Sequence, residues 1–273
     1  MINSYQTKTA KIAKITDFAP GIKLFEFDAK STHEPGQFVM LSLPGFGEAP
    51  FAPCSKIGKN LELCVRAIGR LTNKLHSLRA GDRVGVRGPY GNGWPRSTGP
   101  NPAERDGLSK KNLFIVVGGL GLVPLRSLIL DKEKFLGRDA LVQIFYGART
   151  PDDFLFKDEF KNWRKNGIDV QLTIDKECPE WKDCVGLVPV LFDKRNVVKE
   201  ARAFLCGPPI MYKSVLQKTK EHKFRDEDIF LSFERRMHCG VGVCQHCGVG
   251  PYYTCKQGPV FRYDKIKNIQ GSI

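Results

Sequence analysis

The sequence predicts an all-β domain followed by an α/β domain with a doubly wound parallel sheet, closed by a small cysteine-rich lobe. Three observations carry that expectation. The first hundred residues alternate apolar and polar side chains with the period of two that marks half-buried strands. From residue 112 onward, apolar runs and helical stretches take turns, the pattern of parallel strands with crossover helices. Four of the nine cysteines then fall within residues 239–255.

Taken in order, residues 7–15, 23–27, 38–43, 61–68 and 83–87 read as strands, with one short helix near 73–78. Pro-Gly, Gly-Lys-Asn and Ala-Gly-Asp turns separate them, which suits a small antiparallel barrel. Residues 92–111 are rich in glycine and proline and read as a linker or long loop. Beyond it, 112–117, 140–146, 170–174, 203–206 and 229–232 are strand candidates, and 123–134, 156–165 and 211–222 are helical. Strand and helix in alternation imply a doubly wound sheet.

The chain has 273 residues, of which 41% are hydrophobic, enough for two domains with real cores. No apolar run reaches the length of a membrane span, and mean hydropathy is −0.28, so membrane insertion is not expected. The first residues carry no apolar signal region, which makes the cytoplasm the expected location. An odd cysteine count argues against a disulfide framework. The net charge of +14 implies an anionic ligand or partner: nucleic acid, nucleotide cofactors or an acidic subunit. The basic residues are spread along the chain and form no arm, so a merely solvated basic surface is an equal reading.

Cys239, Cys244, Cys247 and Cys255 have the spacing C-x4-C-x2-C-x7-C. The first three match the plant-type [2Fe–2S] loop, in which close glycines let backbone amides turn toward the cluster. Gly240, Gly242, Gly248 and Gly250 meet that need, and a short hairpin through Tyr252 and Tyr253 returns the fourth thiolate. A structural zinc site is the competing reading. Zinc sites usually present two close ligand pairs, and only Cys244 and Cys247 form one, with His238 and His246 as further candidate ligands.

The run Asn112-Leu-Phe-Ile-Val-Val-Gly-Gly-Leu-Gly-Leu-Val-Pro-Leu is a strand entering a glycine turn and then a helix. Gly118, Gly119 and Gly121 allow a tight turn and close approach of a pyrophosphate, and Pro124 fits the helix's first turn. Two further loops fall at strand ends, where such sheets bind ligands. One is Tyr146-Gly-Ala-Arg149, whose arginine is either a ribose or phosphate contact or a surface residue. The other is Cys206-Gly207-Pro208-Pro209, whose cysteine is either a neighbour of a nicotinamide ring or a small buried hydrophobe.

Together these pieces resemble the ferredoxin–NADP reductase superfamily, and more closely the sulfhydrogenase gamma subunits and the B subunits of anaerobic sulfite reductase. The resemblance covers nearly the whole chain. It is carried by Pro35-Gly-Gln-Phe-Val39, Gly47-Glu-Ala-Pro50, Val65-Arg-Ala-Ile-Gly-Arg-Leu-Thr72, Arg87-Gly-Pro-Tyr-Gly-Asn-Gly93, Cys206-Gly-Pro-Pro-Ile-Met211 and the stretches bracketing the cysteines, Glu234-Arg-Arg-Met-His-Cys239 and Cys255-Lys-Gln-Gly-Pro-Val-Phe261. It implies an FAD-binding β-barrel over 1–100, an NAD(P)-binding domain over 110–232 and a [2Fe–2S] lobe over 233–273. By similarity, Pro50 and Phe51 lie against the flavin, while Arg66, Gly69, Leu71 and Thr72 hold its ribityl and pyrophosphate region. The wider superfamily has Arg-x-Tyr-Ser where this chain has Ala49-Pro-Phe-Ala52, with Cys54 and Ser55 following as candidate substitutes.

The resemblance implies an electron-transfer subunit working between NAD or NADP, FAD and a [2Fe–2S] cluster, docked on an iron–sulfur partner such as a hydrogenase or sulfite reductase. The electron-transfer subunit of dihydroorotate dehydrogenase is the near alternative, and a zinc-containing nucleic-acid-binding module the distant one. Arg149 and Lys176 are the cations available to the 2′-phosphate of NADP. No acid–base pair for a carbon substrate is expected, since the cofactors carry the chemistry.

Overall fold

A computed structural model describes residues 5–96 and 112–271. Most of the linker expected over 92–111 therefore lies outside the described residues. The chain forms two compact units. One gathers Met1–Trp94, Val123–Asp131 and Phe233–Val260; the other gathers Pro95–Leu122, Lys132–Ser232 and Phe261–Ile273.

The first unit is built on β1 (Lys8–Ala19), β2 (Ile22–Lys30), β3 (Phe38–Leu43), β4 (Gly47–Phe51), β5 (Asn60–Arg66), α1 (Arg70–His76) and β6 (Arg83–Tyr90). The strands form one antiparallel sheet in the order β4-β3-β6-β1-β2-β5. An isolated bridge between Pro53 and Leu63 brings the chain just past β4 against β5, so the two edges of the sheet approach each other there. Inside lie Ile12, Phe25, Phe27, Leu41, Leu63 and Val65, inward residues of the period-two pattern, with Leu75 of α1 against them. The sequence reading passed over β4, whose proline cannot donate to a ladder. Proline is tolerated on an edge strand, and β4 is an edge strand of this sheet. Helix α1 begins earlier than the 73–78 stretch suggested, because Gly69 and Thr72 form a capping arrangement ahead of it.

Continuing along the chain are β7 (Asn112–Gly118), a 3₁₀ turn (Gly119–Leu122), α2 (Val123–Leu130), α3 (Lys132–Leu136), β8 (Val142–Ala148), α4 (Phe160–Lys165) and β9 (Ile168–Ile174). Then come β10 (Cys184–Val185), α5 (Val190–Lys194), β11 (Ala201–Cys206), α6 (Pro209–Glu221), β12 (Ile229–Ser232), β13 (Gly248–Val249), β14 (Tyr252–Tyr253), β15 (Val260–Arg262) and α7 (Tyr263–Ile266). The helix expected over 123–134 is thus two helices. The second sheet runs β10-β9-β8-β7-β11-β12-β15, and its neighbours from β10 through β12 pair in parallel. Every residue of β8 and β11 is buried, as a parallel sheet covered on both faces requires. Phe114, Phe145 and Phe192 pack edge to face at its centre. Sequence-consecutive strands run from β7 through β8 to β9 on one side, while β11 and β12 lie on the other. The direction of winding therefore switches between β7 and β11, where open α/β sheets place their ligands.

Candidate functional site

Cysteine loop. The segment between β12 and β15 leaves and returns through a neck closed by the Phe233 amide donating to the Pro259 carbonyl at 2.8 Å. Within it, β13 and β14 form the hairpin that the Cys247–Cys255 spacing anticipates. Cys247 and Cys255 are buried with Phe38, Met40 and Met237, and Tyr90 and Tyr253 pack against them. The lobe thus shares a core with strands β3 and β6 of the first sheet. Cys239 is half-buried and Cys244 exposed.

Backbone amides converge on the sulfurs. Those of Val241, Val243 and Cys244 point at Cys239 Sγ at 3.4–3.5 Å, and that of Gly242 donates to Cys255 Sγ at 3.0 Å. The turns that aim them need left-handed backbone, with φ of +72° at Gly240 and +78° at Gly242. Burial pushes the Cys239 thiol up, but the amides of Cys244, Val241 and Val243 outweigh it and bring the thiol down to about 6. Burial first, and then the neighbouring Cys247, push Cys255 up to about 12. Among the described residues, no three ligating side chains converge on one point. Backbone amides aimed at thiol sulfur suit an iron–sulfur centre, whose sulfurs accept such hydrogen bonds.

Beneath the loop lies a feature that sequence reasoning missed. Arg87, 6% exposed on β6, holds Glu48 of β4 through Nε to Oε1 at 2.7 Å and Nη2 to Oε2 at 2.5 Å. Its Nη1 donates to the Tyr90 hydroxyl at 3.4 Å. A Cβ built on Gly240 would lie 3.7 Å from the same Nη1 and 3.1 Å from Met40 Cγ. The carboxylate raises the Arg87 guanidinium further above its already high range. The motif Arg87-Gly-Pro-Tyr90 was visible in the sequence, but no local signal linked it to Glu48, which is 39 residues away.

Barrel stretch. Pro50 and Phe51 pair with Met40 and Val39 across β3 and β4, both half-buried, and Phe51 packs on the core of the first sheet. Arg66 ends β5 exposed, and Leu71 and Thr72 are buried in α1. The Thr72 hydroxyl is already engaged, accepting from the amides of Ile68 at 3.0 Å and Gly69 at 2.9 Å. Gly69 has φ −157°, extended backbone open to any residue, and a Cβ there would meet nothing within 4 Å. What its glycine leaves is open space at the start of α1, as a cradle for a ligand requires. Of the two residues following Ala52-Pro53, Cys54 is fully buried with its thiol on the Glu62 carbonyl at 3.3 Å. The Ser55 hydroxyl is buried without a hydrogen-bond partner among the described residues.

Glycine turn. Gly118 ends β7 and Cys206 ends β11, where Cys206 pairs with Val117. The two loops interlock: a Cβ on Gly121 would fall 2.0 Å from the Cys206 carbonyl oxygen, and one on Gly207 would fall 3.1 Å from the Gly118 amide nitrogen. Gly119 differs, with φ +55° and nothing within 4 Å of its Cβ position. The Tyr146 hydroxyl donates to the Gly119 carbonyl at 3.0 Å and fixes the turn, a role the sequence did not reveal. Cys206 and Gly207 are buried, and Pro208 is exposed. Pro124 is the second residue of α2. Arg149 is exposed just past β8, near enough to Asp175 to offset part of the rise that burial imposes on that carboxyl.

An antiparallel barrel-like sheet, a parallel sheet with a glycine turn at its switch point, and a four-cysteine loop are the parts expected of a nicotinamide-dependent reductase with an added iron–sulfur module. Comparison with known proteins agrees. Residues 115–217 match the oxidoreductase NAD-binding domain, and residues 234–267 match the iron–sulfur cluster binding domain of dihydroorotate dehydrogenase B. Sulfhydrogenase 2 subunit gamma of Pyrococcus furiosus is 35% identical over 268 residues, covering 89% of this chain and 88% of that one. The probable dihydroorotate dehydrogenase B (NAD(+)) electron transfer subunit of Methanocaldococcus jannaschii is 33% identical over 238 residues, covering 86% and 80%. In fold, the chain matches a chain of an NADH-dependent reduced ferredoxin-NADP oxidoreductase with TM-score 0.74 at 24% identity, over 98% of this chain and 95% of that one. The chain belongs to the family of sulfhydrogenase gamma subunits and dihydroorotate dehydrogenase B electron-transfer subunits, and it is an oxidoreductase subunit with an NAD-binding domain and an iron–sulfur cluster binding domain. Among the described residues, no helix is long and apolar enough to cross a membrane.

Proposed function

We propose that this subunit carries electrons between NAD(P)(H) and a larger iron–sulfur enzyme of the hydrogenase or sulfite-reductase kind, in the cytoplasm. The observation that carries the proposal is the core shared by Phe38, Met40, Met237, Cys247 and Cys255. It builds the one-electron centre onto the sheet that holds the flavin-binding stretch. When bound, FAD supplies the conversion between the two-electron chemistry of nicotinamide and the one-electron chemistry of the cluster. The chain's residues bind and orient. Cys239, Cys244, Cys247 and Cys255 hold the cluster. Arg66 and the Gly69–Thr72 helix start take the flavin pyrophosphate, with Pro50 and Phe51 at the ring. Gly118, Gly119 and Gly121 take the nicotinamide dinucleotide, Cys206, Gly207 and Pro208 border its ring, and Arg149 faces its ribose or phosphate.

The partner docks over the exposed cysteine turn. Val243 is 67% exposed there beside Cys244, and Arg236, His238, His246 and Lys256 are exposed around it. A cationic rim of this kind suits an acidic iron–sulfur subunit and speeds encounter in a salt-dependent way. Replacing Cys244 with Ser is the decisive experiment. It should abolish or strongly alter the EPR signal of the reduced protein while the flavin absorbance stays. Two iron atoms kept per chain with an unchanged spectrum would remove Cys244 from the ligand set.

A further inference from the structure

We propose that the partly buried Arg87–Glu48 ion pair tunes the reduction potential of the [2Fe–2S] cluster, with Arg87 as the end nearer the cluster. The inference rests on the assignment of Cys239 and its partners as cluster ligands. Its geometry is asymmetric. The guanidinium gives its Nε and Nη2 edge to the Glu48 carboxylate at 2.7 and 2.5 Å. It turns its remaining nitrogen, Nη1, toward Tyr90 and toward Gly240, the residue that follows Cys239. The Arg87 side chain is 5% exposed and that of Glu48 25%, so the cation sits deeper than the anion.

Reducing a [2Fe–2S] cluster by one electron adds one negative charge, and cluster potentials respond to net charge, hydrogen bonding and exposure. A cation held beneath the loop in a low-dielectric setting favours the reduced form, and the carboxylate behind it moderates that pull. Arginine suits the task because its charge is fixed at any working pH. Arg87 acts on the cluster through space and is a positioning residue in this sense. A purely structural ion pair would alter stability in every variant, whichever charge was removed. A tuning pair moves the potential in opposite directions when opposite charges are removed.

The test is an EPR-monitored redox titration of the full chain with its cofactors, in wild type, Glu48→Gln, Arg87→Gln, Arg87→Lys and the double Gln variant. Iron content and the reduced signal are recorded for each. Glu48→Gln should raise the midpoint and Arg87→Gln should lower it. Each change should be severalfold in the reduction equilibrium, tenfold being about 59 mV for one electron. Arg87→Lys should stay near wild type, and the double variant should fall between the single ones. If Arg87→Gln fails to retain its cluster, Glu48→Gln decides alone: a higher midpoint supports the proposal, and an unchanged or lower one overturns it. Equal midpoints, or shifts of the same sign, with two irons and a normal signal retained, would overturn the tuning role and leave the cluster assignment standing. Absence of a [2Fe–2S] signal in wild type itself would overturn both.

Discussion

The cysteine loop and the glycine turn both depend on glycine, for different physical reasons. In the cysteine loop the backbone itself is unusual: Gly240, Gly242 and Gly250 have φ of +72°, +78° and +54°. Gly240 and Gly242 bend the chain so that amides face sulfur, Gly250 turns the hairpin between β13 and β14, and the effect of each is local. At the glycine turn, Gly121 is small because the other loop's backbone occupies the place of a side chain, with 2.0 Å between a Gly121 Cβ and the Cys206 carbonyl oxygen. That need comes from two strand ends meeting, β7 and β11, which are far apart in sequence. Gly119 belongs to neither kind fully, since it is left-handed yet open above. One region therefore uses glycine for conformation, the other for packing, with a single residue left free for a ligand.

Substitution should separate these roles. Gly121→Ala should have the largest effect, because the obstructing atoms are backbone and cannot swing aside. A loss on the order of 3 kcal/mol or more, read by denaturant unfolding, is expected where an overpacked site cannot relax. Gly240→Ala should cost less, about 1–2 kcal/mol for the left-handed backbone, with Met40 yielding at the tight contact. Its specific signature should be a lower iron content per chain with FAD retained. Gly119→Ala should cost the least stability, about 1 kcal/mol, yet place a methyl group where the dinucleotide approaches. It should raise the KM for NAD(P)H severalfold with flavin still bound. Loss of FAD with unchanged KM would mean that the two nucleotide sites had been exchanged. A Gly121→Ala protein as stable as wild type would dissolve the contrast between packing and conformation.

What was legible in the sequence follows the same division. The hairpin at Tyr252 and Tyr253, the strand entering the glycine turn and the alternation of the second sheet are local patterns, and the structure reproduces them. The missed features depend on tertiary context. Strand β4 carries Pro50 and is stable only as an edge paired to β3. The short elements β10, α5, β15 and α7 carry too few residues for any period to show. The Arg87–Glu48 pair joins strands with no sequence cue between them, and Tyr146 holds the Gly119 turn from the neighbouring strand. The grouping of Phe233–Val260 with the first sheet follows from burial of Met40, Met237, Cys247 and Cys255 against one another, a match that spacing does not encode.

The central claim is that electrons from nicotinamide reach the cluster only by way of flavin. It is tested most directly by removing FAD from the purified protein with a chaotropic salt, keeping the iron–sulfur cluster, and mixing the product anaerobically with NADH or NADPH. The account predicts that the reduced-cluster EPR signal stays absent in the flavin-free protein and appears when FAD is added back. A cluster reduced at the full rate without flavin would contradict it.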